Sequence, residues 1–207
     1  MQPDFGETIV CVLAHIGGHP VGIVASQPAV KGGAIDSDGA DKGARFVEVC
    51  DSFHLPLVFL SDNPGVLAGS EAERASILRH GGRMFAAQMR TTTAKFHVTF
   101  RKAYGFGGCI MGFLGFSGNS RSYAFPGATM GAMPAKGSSK ATHADEDAAA
   151  LLAQAELESS YKSAMGLGFD DLIDPRDLRN LLLEGLDVAA ARREADPQPV
   201  ARIGVLP

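Results

Sequence analysis

The residues Asp36-Ser37-Asp38-Gly39-Ala40-Asp41 crowd three carboxylates into six positions, a density that suits a calcium loop. In either register that places two acids at early ligand positions, however, the last ligand falls on Arg45 or Val47 rather than on Glu. An EF-hand is thereby excluded, and a solvated turn with a helix cap remains. Gly115-Phe116-Ser117-Gly118-Asn119 resembles a nucleophile elbow without its final glycine, and Ser159-x-x-Lys162 meets a serine-hydrolase pattern only at the level of chance. The six histidines, His15, His19, His54, His80, His97 and His143, show no paired metal-ligand spacing and read as core or surface residues. Gly105-x-Gly107 follows a strand-like run, but the glycines that continue it are wrongly spaced for a dinucleotide fingerprint, and no acid at a second strand end lies about 20 residues on.

One glycine argument survives. Arg101-Lys102-Ala103-Tyr104-Gly105-Phe106-Gly107-Gly108-Cys109 passes from strand to helix, so successive backbone N–H groups with little side-chain cover can face one point. Such a turn can hold a developing oxyanion. The same glycines equally suit a close helix–sheet contact, and spacing alone does not choose between the two.

The elements that must hold this turn follow from periodicity. Glu7 to Ile16 and Val21 to Ser26 are apolar and rich in β-branched residues, with Gly17-Gly18-His19-Pro20 as a four-residue hairpin loop. A Gly/Asp-rich loop from Lys31 to Ala40 precedes a helix over Asp41 to Phe53, and Leu55 to Leu60 reads as a buried strand closed by Asp62-Asn63-Pro64-Gly65. Helical spacing continues from Ser70 to Met89, with Ser70 and Glu73 as a capping box, and Gly81 and Gly82 inside it point to close packing. Strands follow at Phe96 to Phe100 and Ser122 to Phe125, with a Gly-rich helix or turn between them at Gly107 to Phe116. Helices follow at Asp145 to Met165 and Pro175 to Arg193, the second capped by Asp174. Strands alternating with helices predict a single α/β domain on a mostly parallel sheet.

Composition agrees and narrows the function classes. A chain of 207 residues that is 45% hydrophobic and 20% charged can bury a core without staples. Cys11, Cys50 and Cys109 are odd in number and far apart, which suits a reducing compartment rather than a disulfide framework or a metal site. A net charge of −4 without a Lys/Arg cluster argues against a nucleic-acid partner. The N-terminus lacks the pattern of an export signal, and the uncharged run Ala103 to Phe116 is too short to span a membrane. A cytoplasmic protein with no membrane partner is expected.

Six motifs, taken in order, resemble one family. They are Val21-Gly-Ile-Val-Ala-Ser-Gln27-Pro, Lys42-Gly-Ala-Arg45-Phe46, Asp62-Asn-Pro64-Gly65, Ile77-Leu-Arg79-His80-Gly81, Arg101-Lys-Ala-Tyr104-Gly105 and Tyr123-Ala-Phe-Pro126. Together with Gly166-x-Gly168-Phe-Asp-Asp-Leu-Ile-Asp-Pro175 they are similar to the C-terminal half of biotin-dependent acyl-CoA carboxyltransferase subunits, such as those of propionyl-CoA and acetyl-CoA carboxylases.

The resemblance implies a crotonase-like β-β-α superhelix over residues 1–195, followed by an extended C-terminal arm over 196–207. It implies transfer of the carboxyl group of carboxybiotin to the α-carbon of an acyl-CoA, with biotin itself as the base. The missing side-chain base, nucleophile and metal are then expected, because the protein supplies position and dipoles. The family's amide pair falls on the N–H groups of Phe106 and Gly107, and Asn63, Pro64, Gly65, Val66, Gly105 and Gly108 fall on the biotin side. Phe106 stands where a smaller residue is commoner, and its ring is expected to narrow the pocket. Cys109 stands where the pattern often has an Asp near the acyl chain, so it either lines the substrate pocket or simply packs. The implied partners are an acyl-CoA, a chain supplying the N-terminal half, a biotin carboxylase with a biotin carrier protein, and further subunits of a homo- or hetero-oligomer. A non-catalytic scaffold or relic subunit is the alternative. A stand-alone crotonase-type hydratase or hydrolase is a third reading, disfavoured because no Glu or Asp lies near Gly105 to Gly108 in sequence.

Overall fold

The computed structural model describes residues 1–113, 118–195 and 198–200, with the backbone alone at 192–195. Two glycines start the sheet. Gly17 and Gly18 take φ of +58° and +92°, the turn geometry whose twist matches that of paired strands. They join β1 (Ile9–Ile16) to β2 (His19–Ser26). The loop therefore has two residues rather than the four expected, since His19 and Pro20 already stand in β2 opposite Ile16 and His15.

After a 3-10 turn at Lys31–Gly33 come α1 (Ser37–Ser52), β3 (Leu57–Asn63), α2 (Ser70–Arg74), α3 (Ile77–Met89), β4 (Lys95–Tyr104) and α4 (Gly105–Ile110). Then follow β5 (Arg121–Ala124), β6 (Thr129–Gly131), α5 (Ala135–Ala141), α6 (Glu146–Leu157), α7 (Ser159–Met165), β7 (Asp171–Leu172) and α8 (Leu178–Ala195). The sheet order is β1-β2-β3-β4-β5-β7, with β6 added to β4. Only the β1–β2 pair is antiparallel among the described strands. The expected α/β class and mostly parallel sheet are thus the observed ones.

Alternation along the strands sends side chains to two cores. Leu57 and Phe59 face Phe46 and Val47 of α1 and Met84 of α3, while Val58 and Phe96 face Leu182 and Leu186 of α8. Cys11 and Cys50 are buried in the first core, and burial pushes their thiols up to about 11 and about 12. They stay protonated and unpaired with each other, as free cysteines.

Several expected elements differ for local reasons. The helix foreseen from Ser70 to Met89 is broken at Ser76, which sits in the left-handed region at φ +55°, while the Ser37 hydroxyl donates to the carbonyl of Ala75. Ser70 is the first helical residue behind Gly69, so the capping box does not form. The helix foreseen from Asp145 to Met165 bends at Glu158, where the Ser159 hydroxyl turns back to the carbonyl of Glu156. The last helix starts at Leu178 instead of Pro175, because Asp174 holds the backbone and guanidinium of Arg176 in a turn. β4 runs longer than foreseen because its first half pairs with β5 and its last three residues with β6. Most of the expected C-terminal arm, and Ser117 of the elbow-like motif, lie outside the described residues. Of that arm, the N–H of Val200 donates to the carbonyl of Ser52.

Candidate functional site

The acidic loop resolves as the helix cap expected of it. Asp36 Oδ1 accepts from the Gly39 N–H at 2.9 Å and from the Thr8 hydroxyl at 2.8 Å, and Oδ2 from Lys31 Nζ at 2.6 Å. Burial alone would raise the Asp36 carboxyl, but the Lys31, Gly39 and Thr8 donors overcome it and hold the carboxyl below the usual carboxylate range. No group of metal-ligating residues assembles among the described residues. Ser159 Oγ is occupied by the Glu156 carbonyl and the Met130 N–H, and Lys162 pairs with Glu158 at 2.9 Å, so this pair is structural.

The glycine turn is where the sequence motifs meet. β3 and β4 are parallel neighbours, and Asn63 at the end of β3 pairs with Ala103 of β4. Both strands therefore end on one edge of the sheet, as ligand sites in parallel sheets do. Beyond Asn63 the chain turns at Pro64 and Gly65, with the Asn63 side chain accepting from the Gly65 N–H at 3.2 Å and donating to Ser61 Oγ at 2.9 Å. Val66 bridges to Ile35 and packs on the first core, which locks the turn against the body.

Beyond Tyr104, α4 starts at once, with Gly105 at φ +52° and no side chain capping its first amides. The N–H groups of Phe106 and Gly107 lie in the first turn, where helical geometry provides no acceptor within the helix. A Cβ on Gly107 would lie 2.5 Å from Asn63 Oδ1 and 2.5 Å from the carbonyl carbon of Gly65. The two halves of the expected site thus touch, and only glycine permits it. Both readings of the glycines hold locally: the contact is close, and the first-turn amides are left without a helical partner. Gly108 is packed similarly, its missing Cβ 3.3 Å from Ala103.

Phe106 corrects one expectation. Its ring is turned onto α3, where it meets Phe85 at a centroid distance of 6.2 Å and fills the place that Gly81 leaves open. The ring is partly buried in that socket, and the close packing foreseen for Gly81 is with Phe106. Gly82 meets nothing within 4 Å. Cys109 is half-buried, its thiol donates back to the Gly105 carbonyl at 3.3 Å, and burial raises it.

The other end of α4 was not foreseen. Gly112, at φ +77°, reverses the chain, with Phe113 N–H on Gly108 O and Gly112 N–H on Cys109 O, both at 3.0 Å. This is a Schellman closure, and a glycine two residues past Ile110 is its signal in sequence. Three side chains then donate to the carbonyls there: Gln88 to Cys109 at 3.3 Å, His97 to Met111 at 2.8 Å and Asn119 to Gly112 at 2.7 Å. Lys95 Nζ backs Gln88, donating to its Oε1 and its carbonyl, each at 2.7 Å. Burial lowers Lys95 to about 8 and His97 to about 4. His97 is thus neutral near pH 7, with the proton on Nδ1 facing the carbonyl, and Nε2 accepts from the Thr99 hydroxyl at 2.9 Å. At the strand end, the Tyr104 hydroxyl donates to Glu156 of α6, which brings a carboxylate to the residue that opens the turn. Burial, then this acceptor, pushes the phenol up to about 12.

The fold is a mainly parallel sheet covered on both faces, with a glycine turn where parallel strands end, and its likeness to solved carboxyltransferases shows it to be crotonase-like. Comparison with known proteins then defines the family. The carboxyl transferase domain matches residues 1–203, and the chain belongs to that family. It is 36% identical over 208 residues to the carboxyltransferase subunit of propionyl-CoA carboxylase from Haloferax mediterranei, covering 95% of this chain and 40% of that one. Identity is also 36%, over 211 residues, to the methylmalonyl-CoA carboxyltransferase 12S subunit of Propionibacterium freudenreichii, with the same coverage. Among solved structures, the transcarboxylase 12S hexamer with hydrolyzed methylmalonyl-coenzyme A bound superposes with a TM-score of 0.86 at 35% identity, over 100% of this chain and 40% of that chain. The beta subunit of geranyl-CoA carboxylase from P. aeruginosa gives 0.79 at 28% identity, over 99% and 41%. The chain therefore spans about two fifths of the length of these relatives. Among the described residues no helix is long and apolar enough to cross a membrane.

Proposed function

We propose that this chain is the biotin-side, C-terminal half of an acyl-CoA carboxyltransferase, and that it works once a second chain supplies the N-terminal half. The observation that carries the reading is the contact of Gly107 with Asn63 and Gly65, which brings together the two motifs assigned to the biotin side. These residues fit the cofactor. Around the turn, Gly65, Gly105, Gly107 and Gly108 bring only backbone, the buried Asn63 amide holds that backbone in place, and the Phe106 and Gly107 N–H groups can receive an oxyanion. Carboxybiotin on its carrier, when bound, supplies the carbon dioxide and a ureido nitrogen basic enough to take the acyl α-proton. This chain's own part is to orient the ureido group and to hold negative charge with amides already in place. Asn63 fixes the turn through Gly65, and Cys109, one turn further along α4, is the candidate for sensing acyl length.

Exposed apolar residues support a partner chain. α6 buries none of its residues, and Leu151, Leu157, Tyr161, Met165 and Leu167 of α6, α7 and their following loop are exposed. Exposed apolar side chains of this kind are what a partner covers, and the N-terminal half is the occupant the family length calls for.

The test is purification of the tagged chain from native extract, with mass spectrometry of what accompanies it and a labelled-streptavidin probe for biotin. A stoichiometric carboxyltransferase-like chain with a biotinylated carrier is expected. Recovery of the chain alone, or a completed complex that transfers no carboxyl group to any acyl-CoA, would overturn the proposal in favour of a scaffold role.

A further inference from the structure

α4 has six residues, far fewer than the 12–15 at which a helix holds itself together in water. Something outside it must set its direction. At its first turn that is the glycine contact with the β3 turn. At its end it is a buried polar layer drawn from three separate places: Gln88 of α3, His97 of β4, and Asn119 ahead of β5. Gln88, Lys95 and His97 are at most 1% exposed.

Burying an amide, an imidazole and an ammonium beneath an apolar domain costs desolvation that leucine or methionine would avoid. The Schellman closure already gives the Cys109 carbonyl a backbone donor, so Gln88 adds a second one. Packing alone therefore does not account for the layer. Directional donors add orientation: three fixed N–H groups on the carbonyls of Cys109, Met111 and Gly112 restrict the tilt of the helix. His97 suits the task, because the Thr99 hydroxyl on Nε2 leaves Nδ1 as the donor.

We propose that Gln88, His97 and Asn119, with Lys95 behind Gln88, are positioning residues that hold α4 by the Cys109 carbonyl in its last turn and by the Met111 and Gly112 carbonyls of the closure that follows it, and so aim the Phe106 and Gly107 amides at the reacting oxygen. The inference rests on the proposed carboxyltransferase reading for what the amides do, and on the geometry alone for how they are held.

The experiment compares Gln88→Met, His97→Leu and His97→Asn. The asparagine variant keeps a donor near the place of Nδ1 while losing the ring. In the chain by itself, amide NMR should show the Phe106 and Gly107 resonances shifting in Gln88→Met and His97→Leu and returning toward wild type in His97→Asn, with the β1–β2 hairpin, which does not pair with β4, unmoved. If those two resonances stay in place in both donor-deleting variants, folded as judged by that hairpin, the inference is overturned whatever the chain catalyses. In the completed complex, kcat should fall about tenfold in the two deletions with KM for the acyl-CoA unchanged, and recover in His97→Asn; this is part of the hundredfold that a 1 Å misplacement can cost. A fall in melting temperature with kcat intact would equally overturn it. A wild-type complex without turnover would refute the carboxyltransferase reading, and the NMR comparison would still decide the positioning of α4.

Discussion

The most exacting prediction concerns Gly107. Replacing it with alanine puts a Cβ 2.5 Å from Asn63 Oδ1, 2.5 Å from the Gly65 carbonyl carbon and 2.6 Å from Gly65 Cα, where ordinary contact starts at 3.4 Å. Two of these neighbours are backbone, and the third is an amide oxygen already engaged by the Gly65 N–H. None can rotate away cheaply, so α4 and the β3 turn must part by about 0.9 Å, the difference between those distances. A displacement of this size at a reacting centre costs about a hundredfold in rate, or about 2.7 kcal/mol of transition-state stabilisation. Overpacking of this kind costs the fold about 1–3 kcal/mol, and a domain of this length loses about 2–4 °C of melting temperature per kcal/mol. The assay is carboxyl transfer from the biotinylated carrier to acyl-CoA at saturating substrate, with a thermal melt of the same preparation. Gly107→Ala should lose at least a hundredfold in kcat while melting as a folded protein, and Gly107→Val should abolish transfer. An alanine variant within twofold of wild type would remove this turn from the reaction.

Three further outcomes are expected. Gly82→Ala should stabilise the chain by about 0.5–1 kcal/mol, because α3 has open space there, whereas Gly81→Ala, whose Cβ meets the Phe106 ring at 2.7 Å, should destabilise it; paired denaturant melts decide. Lys42 is buried and its ammonium serves the carbonyls of Gln2, Phe5 and Gly6, so Lys42→Met should cost about 3 kcal/mol and speed limited proteolysis within the first six residues relative to the wild type. His97 has a folded pKa of about 4 against about 6.5 when unfolded, so the unfolded chain binds more protons between those values and stability falls as pH falls. About 2 kcal/mol from this group should be gone by pH 5, and His97→Asn should lack that part of the acid dependence in urea melts at pH 7, 6 and 5.

How much of this was legible in sequence differs by length scale. The β1–β2 hairpin, β3 and the α/β class follow from short-range periodicity, and the contact between the β3 turn and the glycine turn follows from motif order within a recognised family. The helix breaks at Ser76 and Glu158 do not, because each depends on one residue's backbone angles and a hydroxyl that captures a nearby carbonyl. β6, with three residues, is too short to show a period. The buried layer under α4 was out of reach for a different reason. Lys95 and His97 share a face of β4, two residues apart, but no spacing rule joins them to Gln88 of α3 or to Asn119 ahead of β5, and only the fold brings Gln88, His97 and Asn119 to one set of carbonyls. Phe106 likewise reads as a residue of the turn until Gly81, twenty-five positions earlier, is seen to be its socket.

The outermost strand carries a consequence of its own. β1 is paired on one side only among the described residues, by β2, and it is eight residues long with Val12 and Leu13 exposed. The Met1 ammonium donates to the Cys11 carbonyl within the strand's first half, and the border from Val12 onward is a template on which another chain can continue the ladder. Expressed without whatever normally shields it, the protein should aggregate through this border, and lysine substitutions at Val12 and Leu13 should keep it dispersed while leaving the distant glycine turn unchanged.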